Sequence, residues 1–415
     1  MPLEHCETVL GQECPGTDIK ETMKRHILCI NGGSSSIKFA LYEVAPKEDL
    51  LVQGAAERIG MEGGWLWLKN REGSRFVDRR MALPDHRKAI EAVINAMEHQ
   101  RLPPVDGVGH RLVHGGPDHK APQPITPELM HSLRGLVPLA PLHLPGEIRA
   151  VEAVSQYYPG LRQVACFDTA FHRTMPEHAQ RLPLPRSFWH EGVRRYGFHG
   201  LSYEYIVGAL GDDVAGRVII AHLGNGASMA ALRDGKPLDT TMGFSPMGGL
   251  MMGTRSGDLD PGILLYLMDE KGHTLRQLEN LLERDAGLAG VSGISSDMKI
   301  LLDQRATETH AAQAVEMFCY HARKSVGALA AVLGGLDTVV FTGGIGERAA
   351  PVRWDVCRGL DHLGVCIDPL KNDNHAGIIS TTDSRCTVRV IPTNEDLMIA
   401  RHTRALLFPG DKRAG

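Results

Sequence analysis

The chain has 415 residues, with 45 Lys and Arg against 49 Asp and Glu, a formal charge of −4 with histidine neutral. A balance so near neutral lacks the basic footprint of a nucleic-acid binder or a polybasic membrane anchor, so neither partner is expected. With 43% hydrophobic and 23% charged residues it fits a globular chain with a large core, long enough for two domains, and excludes disordered and collagenous classes.

Residues 1–24 hold Glu4, Glu7, Glu13, Asp18 and Glu21 and no basic start followed by an apolar core. We expect a poorly ordered extension there rather than a signal or transit peptide. Beyond it, β-rich runs recur at 26–30, 105–113, 163–167, 218–222, 338–342 and 388–391, with helical patterns between them. Ile90, Val93, Ile94 and Met97 mark one helix. Leu275, Leu278, Leu281 and Leu282 mark a second, opened by a Thr274/Gln277 capping box. A third runs over 311–333 and stops at Gly334 and Gly335. Strands alternating with helices imply an α/β architecture. The longest uncharged stretches, 218–232 and 240–254, fall short of the ~20 apolar residues of a bilayer span, so none is expected. The eight cysteines (Cys6, Cys14, Cys29, Cys166, Cys319, Cys357, Cys366, Cys386) are scattered, form no Cys-x-x-Cys pair and suit a reducing cytosol, most of them as small buried hydrophobes.

Glycine is in excess, at 46 residues, and three glycine clusters follow apolar runs. The first is Asn31-Gly32-Gly33-Ser34-Ser35-Ser36, leading into Ile37-Lys38-Phe39. The second, Gly224-Asn225-Gly226-Ala227-Ser228, repeats that grammar half a chain later. Two such segments suggest duplicated domains facing across a cleft, and chance similarity between glycine-rich turns is the competing explanation. The third cluster, Thr342-Gly343-Gly344-Ile345-Gly346-Glu347, stands between a strand and a helix start. Tips without a bulky Cβ let backbone N–H groups converge on phosphate, with Lys38 as a further donor; an ordinary hairpin turn is the alternative use of Asn-Gly. Gly344-x-Gly346-x-x-Ala349 also satisfies a dinucleotide fingerprint formally, which admits a dehydrogenase.

Two arginines stand in small or apolar company, Arg111 in 108–116 and Arg255 in 251–258. Such a guanidinium needs an anion, either a ligand or an internal salt bridge. Asp168 follows the apolar run ending at Phe167, where a carboxylate faces an α/β crevice or caps a helix. His199 lies between Gly197 and Gly200 with only Phe198 beside it, which leaves its imidazole uncovered. Glu395 opens the last helix, placed to favour its dipole or to hold Mg²⁺ through water.

Taken in order, these motifs resemble the acetate, propionate and butyrate kinase family, within the sugar kinase, actin and heat-shock chaperone ATPase superfamily. The motifs are Asn31 to Lys38, His110 to Gly116, Phe167 to His172, Tyr196 to Gly200, His222 to Gly226, Thr241 to Pro246, Gly253 to Asp258, Phe341 to Glu347 and Thr393 to Glu395. The resemblance covers residues 27–408. It implies two duplicated ribonuclease H-like, actin-like ATPase domains with a nucleotide cleft between them: 25–169 with 397–415, and 170–396. It implies cytoplasmic, reversible transfer of the ATP γ-phosphoryl group to a small carboxylate by a homodimer using Mg²⁺, with Mn²⁺ as the alternative ion.

By that resemblance Arg111 and Arg255 hold carboxylate and migrating phosphoryl group, His199 and Asn225 donate to its oxygens, and Asp168 is the essential aspartate, orienting Arg111 or the metal shell. Asn31 and Glu395 match the metal positions. Lys38, His222, Leu223, Gly224, Asn225, Gly226, Asp297, Met298, Lys299, Gly344, Ile345, Gly346, Glu347 and Arg348 fall to the nucleotide. Val113, Leu142, Phe198 and Pro246 match the pocket for the acyl methyl group. The chain departs from the family pattern at Leu144, at Leu201-Ser202-Tyr203, at Gly248 and at Arg348, the last leaving pyrophosphate open as donor. A nucleotide sensor or chaperone-like ATPase without acyl transfer is the rival from another class.

Overall fold

The computed structural model describes residues 24–44 and 47–410. The extension read at 1–24, Lys24 excepted, lies outside the described residues, as do Cys6 and Cys14.

Two sheets organise the molecule. The first contains β1 (Arg25–Gly32), β2 (Ser36–Val44), β3 (Glu48–Glu57), β4 (Trp65–Lys69), β5 (Arg75–Arg80), β6 (Gly107–Leu112), β7 (Gln123–Pro124) and β8 (Gln163–Phe167). Its order is β5-β4-β3-β2-β1-β6-β8-β7. The second contains β9 (Arg217–Leu223), β10 (Ala227–Arg233), β11 (Lys236–Thr240), β12 (Thr338–Thr342) and β13 (Thr387–Val390), in the order β11-β10-β9-β12-β13.

The repeated grammar is a repeated topology. In the first sheet β1 pairs antiparallel with β2 and parallel with β6; in the second, β9 pairs antiparallel with β10 and parallel with β12. The run β3-β2-β1-β6-β8 therefore matches β11-β10-β9-β12-β13 strand for strand. Both central strands are buried on two faces, which is why β1 and β9 read as continuous apolar runs rather than alternating ones.

Each sheet ends its central strands at a glycine cluster. The register sets Asn31 opposite Lys38 across the β1–β2 hairpin and opposite Arg111 on β6. It sets Thr342 opposite His222 between β12 and β9. Carboxyl ends of neighbouring strands thus bring together residues far apart in sequence.

The helices follow their caps. The helix Leu275–Arg284 starts at a formed Thr274/Gln277 capping box, and the helix Thr309–Leu333 ends at Gly334 in the left-handed conformation, φ +68°. The last helix, Glu395–Leu407, packs on β1, β2, β6 and β8 of the first sheet. Two glycines of β6 open its seat: a Cβ on Gly109 would lie 2.3 Å from Thr403 Oγ1 and 2.4 Å from Ile399 Cγ2, and one on Gly107 would lie 2.7 Å from Leu407 Cδ1. That close approach buries Ile27, Cys29, Val164 and Cys166 beneath Leu397, Ile399 and Ala400. Docking the helix here carries its first residue, Glu395, to the strand ends that hold Arg111.

Candidate active site

One wall comes from the first sheet. Arg111, at the end of β6, donates from Nη2 to Asp168 Oδ2 and from Nη1 to Asn31 Oδ1 at 3.4 Å. Asp168 leaves β8 and is itself fixed by its backbone N–H donating to Leu112 O at 2.9 Å. Burial works against the Arg111 charge, but Asp168, Glu395 and Glu147 outweigh it and hold the guanidinium protonated. Burial pushes the Asp168 and Glu395 carboxyls up, and Arg111 pulls both back. The Arg111 side chain keeps 16% of its surface exposed, so it is not sealed from the crevice.

The other wall comes from the second sheet and the segment before it. His199 caps the helix Gly200–Leu210 with φ +59°, a conformation rare for a non-glycine residue. Its surroundings explain its glycine neighbours: a Cβ on Gly200 would lie 2.3 Å from Asp168 O, and Gly197 has φ +72° with the His172 ring 2.6 Å from its Cβ position. The ring stacks on His222, centroids 4.3 Å apart, and its Nδ1 lies 2.8 Å from Ser228 Oγ. Burial lowers the pKa of both imidazoles, His222 to about 4 with an opposing pull from Asp168, and His199 further helped down by His222, Arg111 and Arg255. Both rings are neutral at pH 7.

Arg255 reaches the same space. A Cβ on Gly226 would lie 3.3 Å from His199 Nε2 and 3.6 Å from Arg255 Nη1, so glycine keeps the space between them open and any side chain there would press on the imidazole. Arg255 Nη1 donates to Pro246 O at 3.2 Å, and Nη2 lies 3.5 Å from His143 Nε2. Among the described residues no carboxylate stands within ion-pair distance of it. The two arginines are thus resolved differently: Arg111 has an internal salt bridge, while Arg255 is a half-buried cation without a contacting carboxylate, its charge favoured only at longer range by Glu283. Asn225 packs on Gly253, whose N–H donates to Asn225 O at 2.9 Å.

The second and third glycine clusters adjoin. A Cβ on Gly224 would sit 3.9 Å from Gly344 N, and Gly343, φ +76°, lets its backbone lie against Leu223. Gly344 faces open space and Arg348 is exposed. Glu347 Oε1 accepts from Gly343 N–H and Thr393 N–H, both at 3.0 Å, tying the cluster to the segment before Glu395. Lys38 is exposed, and its charge acts on Glu395. Asp297 caps the helix Met298–Gln304 through Lys299 N–H at 2.8 Å, with Met298 in the core and Lys299 exposed. Among the described residues no hydrogen bond links 297–299 to Arg111, Asp168, His199 or Arg255. Val113 and Phe198 belong to one buried cluster, Pro246 is buried and Leu142 half-buried.

Among the described residues no three His, Cys, Asp or Glu side chains converge closely enough to cage a metal. Hard oxygens do gather: Asp168 Oδ1 is buried without a hydrogen-bond partner, Glu395 acts electrostatically on the same arginine, and Asn31 Oδ1 is bonded only to it. That donor set fits Mg²⁺, which keeps several waters and shares its shell with phosphates.

Sequence patterns did not single out several residues of this site. Glu147, in the first turn of the helix Leu144–Tyr157, is 1% exposed, accepts from Val113 N–H at 2.9 Å and lies 3.8 Å from Arg111. Burial pushes its carboxyl up to about 8 against the opposing pull of Arg111. His143 is driven down to about 4 by burial and by the two arginines. Arg353 is wholly buried and donates to Gly346 O at 2.9 Å and Glu347 O at 3.0 Å, clamping the third cluster from behind. A charged residue flanked by apolar ones was the available signal for Glu147, as it was for Arg111.

The sequence matches the Acetokinase family over residues 26–401. An acetate kinase of Rhodopseudomonas palustris (strain TIE-1) is 49% identical over 402 residues, covering 92% of this chain and 99% of that protein. The crystal structure of Porphyromonas gingivalis acetate kinase superposes with a TM-score of 0.85 at 41% identity, covering 92% of this chain and all of that one. A propionate kinase structure from Francisella tularensis subsp. tularensis SCHU S4 gives 0.88 at 36% identity with the same coverage. With its two actin-like halves and this match along nearly its whole length, the chain belongs to the Acetokinase family.

Proposed function

We propose that the chain transfers the γ-phosphoryl group of ATP reversibly to acetate, giving acetyl phosphate and ADP by direct in-line displacement. The observation that carries this reading is Arg255, a half-buried guanidinium with no carboxylate within ion-pair distance among the described residues, sharing the space over Gly226 with His199 Nε2. An acetate acceptor is ionised at neutral pH, so the site needs alignment and charge neutralisation rather than a strong base. Arg111 and Arg255 supply both. His199 and Asn225 donate to the equatorial oxygens, and these contacts strengthen as the group becomes planar and metaphosphate-like. Asp168 is engaged by Arg111 and orients it. Val113, Leu142, Phe198 and Pro246 receive the methyl group. Lys38, 222–226, 297–299 and 344–348 face the nucleotide.

Mg²⁺, with Mn²⁺ as a substitute, would neutralise nucleotide phosphate charge, and Asn31 and Glu395 would hold it largely through waters. The proposed domains are 25–169 with 397–415, and 170–396, supported by the docking of the last helix on the first sheet. A homodimer is supported by the helix Pro261–Asp269, which has no buried residue and exposes Ile263, Leu265, Tyr266 and Met268. The six described cysteines are all free, in keeping with a reducing cytoplasm.

Incubation with Mg-ATP and acetate, propionate or butyrate, with acyl phosphate trapped by hydroxylamine, tests the reading. Acetate should give the highest kcat/KM, although one methylene is worth only about 1–3 kcal/mol in an apolar pocket. ATP hydrolysis without acyl hydroxamate would point to the chaperone-like rival.

A further inference from the structure

We propose that Tyr203 and Ser228 form a buried hydroxyl relay that fixes His199 as its Nε2–H tautomer, aiming the ring's one proton at the migrating phosphoryl group. The target of that proton rests on the function proposed above; the tautomer itself does not.

The inference starts from what each buried hydroxyl can do with its hydrogen. Tyr203, on the helix Gly200–Leu210, and Ser228, on β10, are both 0% exposed. Tyr203 Oη lies 2.5 Å from Ser228 Oγ, and among the described residues this is the one hydrogen bond of the phenol oxygen. A phenol proton sealed from water must be donated or left unpaired at a cost, so Tyr203 donates to Ser228 Oγ. Ser228 must then direct its own proton to its other partner, His199 Nδ1, at 2.8 Å. Nδ1 is therefore an acceptor. A neutral imidazole carries one N–H, and with Nδ1 accepting, that hydrogen sits on Nε2.

Two further observations give the tautomer a use. Burial, with His222 and the two arginines, keeps His199 neutral, so it has a single proton to place. Its Nε2 points to the space that Gly226 leaves open beside Arg255 Nη1. The opposite tautomer would present a lone pair there, facing an anion. Tyr203 and Ser228 touch neither substrate, so they are positioning residues acting through His199.

Nitrogen-15 NMR of the histidine-labelled, full-length protein at pH 7, with the His199 signals assigned by their loss in His199→Gln, tests this directly. We expect a protonated Nε2 and an unprotonated, hydrogen-bonded Nδ1 in the wild type. In Tyr203→Phe, which keeps the buried ring, Ser228 is freed to accept from Nδ1–H. The Nδ1 signal should then move toward the protonated position, and kcat should fall about tenfold with both KM values within about twofold, a fraction of the loss on deleting a whole donor. A wild-type ring protonated at Nδ1 would overturn the relay whatever the activity. So would a Tyr203→Phe protein with unchanged nitrogen shifts and unchanged kcat. The Nε2–H form in a protein that makes no acyl phosphate would uphold the relay and overturn the proposed function instead.

Discussion

Glu147 shows how a single carboxyl couples the site to pH. Its folded-state pKa, about 8, lies above its ordinary value of 4.5 because burial penalises the charged form. The native state therefore binds this proton more tightly than the unfolded chain. Its contribution to stability is full below the unfolded value and is lost as pH rises through about 8. Arg111 and Asp168 are the charged groups facing it. Thermal melts from pH 5 to 9 should show wild-type stability falling by an amount on the order of a few kcal/mol, and Glu147→Gln should flatten that fall. Parallel curves would remove Glu147 as the cause. Asp168→Asn should fold, by circular dichroism, yet lose about a hundredfold or more in kcat, because a neutral amide no longer anchors the Arg111 charge. At this scale the sequence shows which residue types are unusual but not their partners. Arg111 and Arg255 looked alike, and only the positions of Asp168 just beyond β8 and of Pro246 and His143 around Arg255 separate a paired cation from an open one.

At the scale of the element, the duplicated hairpins were legible because their constraints are local: an apolar run buried on both faces, then residues without side chains where strands turn. The helix ends at Thr274 and Gly334 were legible for the same reason. Strands β3, β4 and β5 were not singled out, since an edge extension with half-exposed Trp65 and Trp67 is held by cross-strand pairing that no local pattern encodes. Nor did glycine spacing reveal which glycines guard a close approach. Gly253 and Gly146 do so in different ways. A Cβ at Gly253 would fall 1.9 Å from Asn225 Oδ1, the end of a movable side chain, so Gly253→Ala should fold normally and lower kcat about 10- to 100-fold by displacing Asn225. A Cβ at Gly146 would fall 2.6 Å from the Gly33 carbonyl, which is backbone, so Gly146→Ala should destabilise by about 1–3 kcal/mol in urea unfolding as the first turn is pushed aside.

Across the whole molecule, a duplicated fold lets each half contribute strand ends to one site: Asn31, Arg111 and Asp168 from the first sheet, His222, Asn225 and Ser228 from the second. The near-neutral net charge fits the proposed site, in which two guanidiniums, neutral imidazoles and glycine turns would bind anions locally. The exposed helix Pro261–Asp269 belongs to the same scale. Placing a charge there, as in Leu265→Glu, should shift sedimentation from dimer to monomer, and a wild-type monomer would refute that interface. The central claim is phosphoryl transfer between ATP and acetate at the Arg111/Arg255 site. Phosphorus-31 NMR of the protein with Mg-ATP and acetate, run beside Arg255→Ala, tests it most directly. Acetyl phosphate and ADP should appear one for one, and at least about a hundredfold more slowly in the variant. ADP accompanied only by inorganic phosphate, or undiminished transfer by Arg255→Ala, would contradict it.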